Sequence, residues 1–293
     1  MLGALREAGH IASAARNEGR TLIVAGARVR DVCVSVEDDI RRRGGALAFP
    51  TQCSRNEVAA HDCPSPDDDR VFGEGDLAKL DLGVHIDGWV VDTAVTVSVG
   101  DRPENRSLVE GAQAALEAAI AQAGPGVPIA RLSEAIAATL RAYKVKPIRN
   151  LCGHHVGRFT VHAPPPVPNV PDGADDRLAI GAVLAIEPFA THGGGVAAER
   201  GNPEVFRLVP GEEHGLPLDA ALLECLRNRR GLPFSRRDLS AFPRLLVEES
   251  LTLLATCGRL SAYPPLVETT GGRVAQAEHS LLVGPNGVEV LTR

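Results

Sequence analysis

The chain has 293 residues, 44% of them hydrophobic and 23% charged, which excludes a disordered segment and leaves room for one large α/β domain or two ordinary ones. A net charge of −6 gives no support for nucleic-acid binding, and almost all positive charge is arginine, with lysine only at 79, 144 and 146. Six cysteines without a C-x-x-C pair suit free thiols in a reducing compartment, so the cytosol is the expected location; the N-terminal stretch lacks the apolar core of a signal, and no run is long enough to cross a bilayer.

Leu2, Leu5, Ile11, Ala12 and Ala15 fall at helical spacing and predict an amphipathic helix to about Asn17. A second helix follows Gly26, with Val29, Val32, Val36 and Ile40 recurring along it and Gly44-Gly45 as its stop. One hundred residues later Gly126, Ile129, Leu132, Ile136 and Leu140 repeat those offsets position for position. A period this long, occurring twice, excludes a solenoid and predicts two similar α/β halves about a pseudo-twofold axis. A cleft between such halves is a common place for a site.

Between the repeats, residues 80–96 read LDLGVHIDGWVVDTAVT, apolar and polar positions alternating on either side of Asp87-Gly88. With that dipeptide as a two-residue turn the stretch is a β-hairpin in which Asp81 faces Ala94 and Asp92 faces Gly83. Both carboxylates then share one face as diagonal neighbours, about 7–8 Å apart at the backbone. Acids on one face are also what a solvated sheet presents; if buried, they must share a proton or bind cations.

Residues 183–191, VLAIEPFAT, and 274–283, VAQAEHSLLV, read as buried strands, carrying Glu187 and Glu278. Buried glutamate is rare unless paired or bound to metal. Between the strands, over roughly 199–268, Leu222, Leu223, Leu226, Leu245, Leu246, Leu251 and Leu254 mark helices and predict a helical insertion in the second half. Its Arg227, Arg229, Arg230, Arg236 and Arg237 read as a solvated helix face or an anion-binding patch. Asp81, Asp92, Glu187 and Glu278, with His154 from the GHH word, make an oxygen-rich set suited to a pair of divalent ions. Two ions roughly 3.5–4 Å apart can share a bridging water and make hydroxide at neutral pH, so hydrolysis is the natural chemistry.

AFPTQCSRNEVAAH, LDLGVHIDGWVVDTAVTV, NLCGHHVGRFTVH, AIEPFAT and AQAEHS together resemble the type II methionine aminopeptidases of the archaeal, minimal kind, in order and spacing over nearly the whole chain. The resemblance implies an α/β (α+β) pita-bread fold, with residues 1–198 and 269–293 as the catalytic domain and 199–268 as the helical type II insertion. It implies two divalent ions, of Co, Mn, Fe or Zn, with Asp81 chelating one, Asp92 and Glu278 bridging both, and His154 and Glu187 completing the other. Glu187 would take the attacking water's proton, and His61 and His162 would flank the substrate without binding metal. Phe49, Val161 and Tyr263 would wall a methionine pocket, although the first two are equally suited to plain core packing. The implied substrate is the N-terminal Met of nascent polypeptides and peptides, handled by a cytoplasmic monomer without membrane or direct nucleic-acid contact; any ribosome proximity would use the arginines of the insertion.

Three departures mark this chain. A Pro164-Pro165-Pro166 run stands where the family commonly has a glycine, Ala277 replaces a large aromatic, and Cys152 replaces a small polar residue. The competing readings are an X-Pro aminopeptidase or prolidase of the same fold, which the NLxGH word and the insertion disfavour, and a non-catalytic binding protein, which the intact ligand set disfavours.

Overall fold

The structure, a computed structural model, describes residues 1–211 and 217–293. The first half runs α1 (Leu2–Leu22), α2 (Val29–Arg42), β1 (Ala46–Arg55), β2 (Val58–Ala60), β3 (Leu77–Ile86) and β4 (Trp89–Ser98). The second opens with α3 (Arg106–Gln122) and α4 (Ile129–Ala142), then β5 (Lys146–Pro147), β6 (Cys152–Gly157), β7 (Thr160–Pro168), β8 (Val183–Ile186), β9 (Phe189–Thr191) and β10 (Ala197–Glu199). There follow β11 (Val205–Leu208), α5 (Ala220–Asn228), α6 (Arg244–Thr256), β12 (Leu260–Tyr263) and β13 (Leu266–Glu268); the chain ends on β14 (Val274–Gln276), β15 (Glu278–Gly284) and β16 (Gly287–Val290).

The first helix runs five residues past the predicted Asn17. Its polar last turn stays helical because Gly19 lies against the next layer, where a Cβ would come within 2.4 Å of Val36 and 2.8 Å of Leu80. The hundred-residue repeat extends to single hydrogen bonds. Gly26 N donates to Phe72 O and Gly126 N to Leu178 O; Val29 N donates to Arg70 O and Ile129 N to Asp176 O; Gly45 N donates to Ile40 O and Val145 N to Leu140 O. Each half therefore closes its second helix onto a returning strand-like segment in the same way.

The main sheet is antiparallel, in the order β1-β3-β4-β15-β8-β6-β7, with β16 on β15. α1 and α2 cover one part of its outer face, burying Leu5, Ile11, Val36 and Ile40 against Leu80, Leu82 and Val84. α3 and α4 bury Leu108, Leu116, Leu132 and Ile136 with Leu184, Ile186 and Leu281 in a second core. The halves meet along β4 and β15, where the ladder is two residue pairs long, Glu278 with Ala94 and His279 with Thr93. Ser280 reinforces that seam, its Oγ accepting from Asp92 N at 2.7 Å and donating to Asp92 O at 2.9 Å.

The hairpin register is the expected one: Asp81 pairs with Ala94, Gly83 with Asp92, and Ile86 with Trp89. Asp87 and Gly88 have φ of 51° and 84°, the left-handed pair that a tight two-residue turn needs. The two apolar runs predicted as single strands are each broken at the glutamate. β8 ends at Ile186 and β9 starts at Phe189; β14 ends at Gln276 and β15 starts at Glu278. β8 and β15 belong to the main sheet, whereas β9 and β14 pair with each other in a second sheet with β5. Pro188 lacks an N–H for the ladder, which is a physical reason for the first break.

The segment predicted as a helical insertion places its marked leucines on α5 and α6, but it also contains β11 and β12, paired from Val205–Tyr263 to Leu208–Leu260. These elements bury Phe206, Leu222, Leu226, Phe234, Val247, Leu251 and Leu254 together, separately from the two main cores. β13, within the predicted limits, instead bridges β10 and β2 of the body. Residues 212–216 of the segment lie outside the described residues.

Candidate active site

Two rows of side chains cross the inner face of the sheet. In one, Gln52 of β1 pairs with Asp81, Asp81 with Ala94, and Ala94 with Glu278. In the next, Phe49 pairs with Gly83 and Gly83 with Asp92, and across the second half Ser280 pairs with Ala185 and Ala185 with His154. Gly83 has to be glycine for this packing, because a Cβ there would sit 2.3 Å from the Phe49 ring. The register thus brings the acids of three strands, Asp81, Asp92 and Glu278, to one spot with His154, and Glu187 joins them from the break just after β8.

There His154 Nε2 is 3.6 Å from both Asp92 Oδ2 and Glu187 Oε1. Asp92, His154 and Glu278 each offer a ligand atom within 4.8 Å of the others. Gln276 Nε2 lies 3.4 Å from Asp81 Oδ2 and 3.3 Å from Glu187 Oε2, so its amide spans the other two carboxylates. Asp81 Oδ1, Asp92 Oδ1 and Glu278 Oε2 are shielded from solvent and have no hydrogen-bond partner among the described residues. No described lysine or arginine pairs with any of the four acids; Arg16 acts on Glu278 only through space, from the far side of the sheet.

Burial raises all four carboxyls, and repulsion by neighbouring acids adds to it in Asp92, Glu187 and Glu278. Desolvation pushes Asp81 up to about 7. Asp92, Glu187 and Glu278 lie well above their ordinary range, from desolvation first and neighbouring carboxylates second. His154 is driven down to about 3 by desolvation and then by His162, so it is a neutral imidazole with a lone pair to give. Four clustered acids, three of their oxygens without hydrogen bonds, and a neutral imidazole make the kind of donor set that divalent cations take. The residues fit divalent metal.

The same cleft is bordered by His61, His162, Phe49, Val161 and Tyr263 as well as the five ligand candidates. His61 follows β2 with φ +65°, a left-handed conformation uncommon outside glycine, and its ring stands 5.9 Å from that of Tyr263 at 82°. Desolvation, then His162, lowers it to about 4. His162 faces the exposed side with its ring centroid 4.5 Å from that of His154; desolvation, then Arg207, lowers it too. Phe49 and Val161 are buried and belong to the first core as well as to the cleft, so wall and core packing hold together. Tyr263 arrives from β12, its hydroxyl accepting from Arg207 Nε at 3.0 Å. His155 turns away from the cleft, with Nδ1 2.7 Å from Pro165 O. Cys152 stands exposed at the mouth beside Pro164 and Pro166.

Sequence reasoning missed Gln52, Gln276, Val205 and Pro233, which also border the cleft or hold its acids. Gln276 had a weak signal, two residues before Glu278, but a search for charged groups passes over an amide. Of the insertion's arginines, Arg227 and Arg230 are exposed as a solvated face would have them, whereas Arg229, Arg236 and Arg237 are tied into the protein. Arg237 is buried against Glu37 and the carbonyls of Pro64 and Thr51. Arg236 pairs with Glu248 and Glu204; Arg229 donates to Pro233 O, and Arg230 lies 3.9 Å over the Phe159 ring.

The family model described as Metallopeptidase family M24 matches residues 3–215. A methionine aminopeptidase of Thermococcus kodakarensis is 42% identical over 292 residues, 99% of this chain and 98% of its own. The crystal structure of the methionine aminopeptidase of Thermotoga maritima is 26% identical with a TM-score of 0.72, covering 98% of this chain and 94% of that chain. A prolidase of Pyrococcus furiosus, at 20% identity and a TM-score of 0.62 over 63% of its length, shares the fold alone. The curled antiparallel sheet between two like halves is the pita-bread fold, and the chain belongs to the M24 metallopeptidases and, among them, to the methionine aminopeptidases.

Proposed function

We propose that this chain removes the N-terminal methionine of peptides and nascent polypeptides, using two divalent ions held by Asp81, Asp92, His154, Glu187 and Glu278. The observation that carries the reading is the set of three buried carboxylate oxygens without partners beside a neutral imidazole, in a cleft walled by Phe49, Val161 and Tyr263. When bound, the ions supply Lewis-acid activation of water and of the scissile carbonyl, with Co, Mn, Fe and Zn all compatible with the donors. Glu187, at the edge of the cleft beside His154, takes the proton of the attacking water on a carboxylate oxygen. His61 and His162, neutral at pH 7, hydrogen-bond the scissile carbonyl and steady its developing charge. The apolar walls receive the methionine side chain, and the free amine would sit at the Asp81 end of the site, on the ion Asp81 would hold, which makes the activity that of an exopeptidase.

The type II assignment, with 199–268 as a separate insertion on a body of 1–198 and 269–293, is supported by the insertion's own apolar cluster. Six unpaired cysteines support a reducing, cytosolic location. The test is release of free methionine from Met-Ala-Ser and Met-Pro-Gly against Ala-Pro-Gly, with metal-stripped protein and each ion restored in turn. Cleavage of the Met peptides alone, and only with metal, is expected. Cleavage of Ala-Pro-Gly instead would overturn the pocket assignment; ion binding without cleavage would overturn the catalytic one.

A further inference from the structure

Lys79 is completely buried on the inner face of β3, two residues from Asp81 and so on the same side of the sheet. An ammonium there is tolerable only if its three donors are met, and they are met by backbone carbonyls: Asn56 O at 3.0 Å, Leu77 O at 3.2 Å and Val274 O at 3.0 Å. Its cross-strand partner on β4 is Thr96. Thr96 Oγ1 donates to Gln276 O at 2.6 Å and accepts from Gln276 N at 2.8 Å.

Val274 and Gln276 are the two ends of β14, which pairs with β9 and has no ladder to the hairpin. Two side chains of the hairpin thus do the work of a missing ladder. The fixed segment delivers Gln276 between Asp81 and Glu187, and two residues further on it delivers Glu278 opposite Ala94. Neither Lys79 nor Thr96 lines the cleft.

We propose that Lys79 and Thr96 are positioning residues for the metal site: by clamping β14 onto the inner face of the hairpin they hold Gln276 and Glu278 at the spacing that ion binding requires. The proposal rests on the metal reading above. Supporting groups one step behind metal ligands typically change ion affinity or activity by about 10–100-fold when removed.

The experiment titrates metal-stripped protein with Mn²⁺ calorimetrically and measures kcat and KM on Met-Ala-Ser for wild type, Thr96→Val, Thr96→Ser and Lys79→Met. Thr96→Val keeps the shape and loses the hydroxyl; Thr96→Ser keeps the hydroxyl. The expected result is ion affinity and kcat lowered about 10-fold or more in Thr96→Val, with KM within about threefold, and values near wild type in Thr96→Ser. Lys79→Met should match Thr96→Val; should it fail to fold, the two Thr96 variants decide. A Thr96→Val protein that melts earlier yet binds Mn²⁺ and turns over like wild type overturns the proposal and leaves the metal reading intact. A wild type that binds no ion overturns both.

Discussion

Glu37 and Glu278 are both buried carboxylates among apolar residues, and the fold treats them in opposite ways. Glu37 meets Arg237 from the insertion and accepts from Thr51 N at 3.0 Å, so its charge is cancelled by a side chain of the same molecule. Glu278 and its three acidic neighbours have no such partner among the described residues, and three of their oxygens have no hydrogen bond. The first arrangement fastens one part of the chain to another. The second gathers donors that no described side chain of the protein engages, and that difference separates a structural ion pair from a site.

The contrast breaks most visibly at the site. Asp92→Asn should lower methionine release by at least about a thousandfold, the effect of losing several kcal/mol of transition-state stabilisation. The same substitution should raise the melting temperature of the metal-free protein, because it removes a carboxyl that burial and its acidic neighbours disfavour. A drop in that melting temperature would mean the cluster is compensated after all.

At the ion pair the expectation reverses. Arg237→Met strands Glu37 in the interior and should cost about 3–5 kcal/mol in urea unfolding. It should also raise KM more than it lowers kcat, since Tyr263, Val205 and Pro233 reach the cleft from the segment that Arg237 anchors. Unchanged stability would show that the pair is dispensable.

A third carboxylate sharpens the comparison by pH. Glu268 accepts from the backbone N–H groups of Gly195, Thr270 and Gly272 and from Thr270 Oγ1, which together bring it down to about 2 against the burial that opposes them. Its contribution is complete above the ordinary carboxylate range and is lost as pH falls toward 2. Asp81, raised to about 7, has the opposite sign: in metal-free protein its contribution is present at low pH and is lost as pH rises through about 7. Metal-free protein should therefore gain stability from pH 8 to 5 and lose it below pH 4. Glu268→Gln should remove about 1.5–3 kcal/mol at neutral pH and flatten the acid limb. Smallest of all, Cys152→Ser should change kcat/KM by less than about threefold, because the thiol of this surface residue, raised to about 11 by partial burial, then by Glu187, is protonated and bonded to no described site residue.

The hairpin could be read from sequence because one dipeptide, Asp87-Gly88, sets its register, and register alone puts Asp81 and Asp92 on one face. The hundred-residue repeat was equally open, since helix stripes and stop residues are local. What escaped were places where the chain changes sheet. An apolar run reads the same whether it stays in one sheet or breaks at Glu187 or Glu278, and only Pro188 hinted at it. Arg237 escaped because its partner Glu37 lies 200 residues away in sequence. Gln276 escaped because a neutral amide stands out only once the acids around it are seen.

The ladder between β4 and β15 is short, and the seam relies as well on the side-chain bonds of Ser280 to Asp92 and of Thr93 to Glu278 O. Two backbone pairs span the joint there, against ten residue pairs inside the neighbouring hairpin. Asp92 and Glu278 hang on its opposite sides, so prising the halves apart also dismantles the acid cluster. Anything that draws those two carboxylates together acts as a rivet through the joint, and the protein cannot come unfastened there while keeping its chemistry.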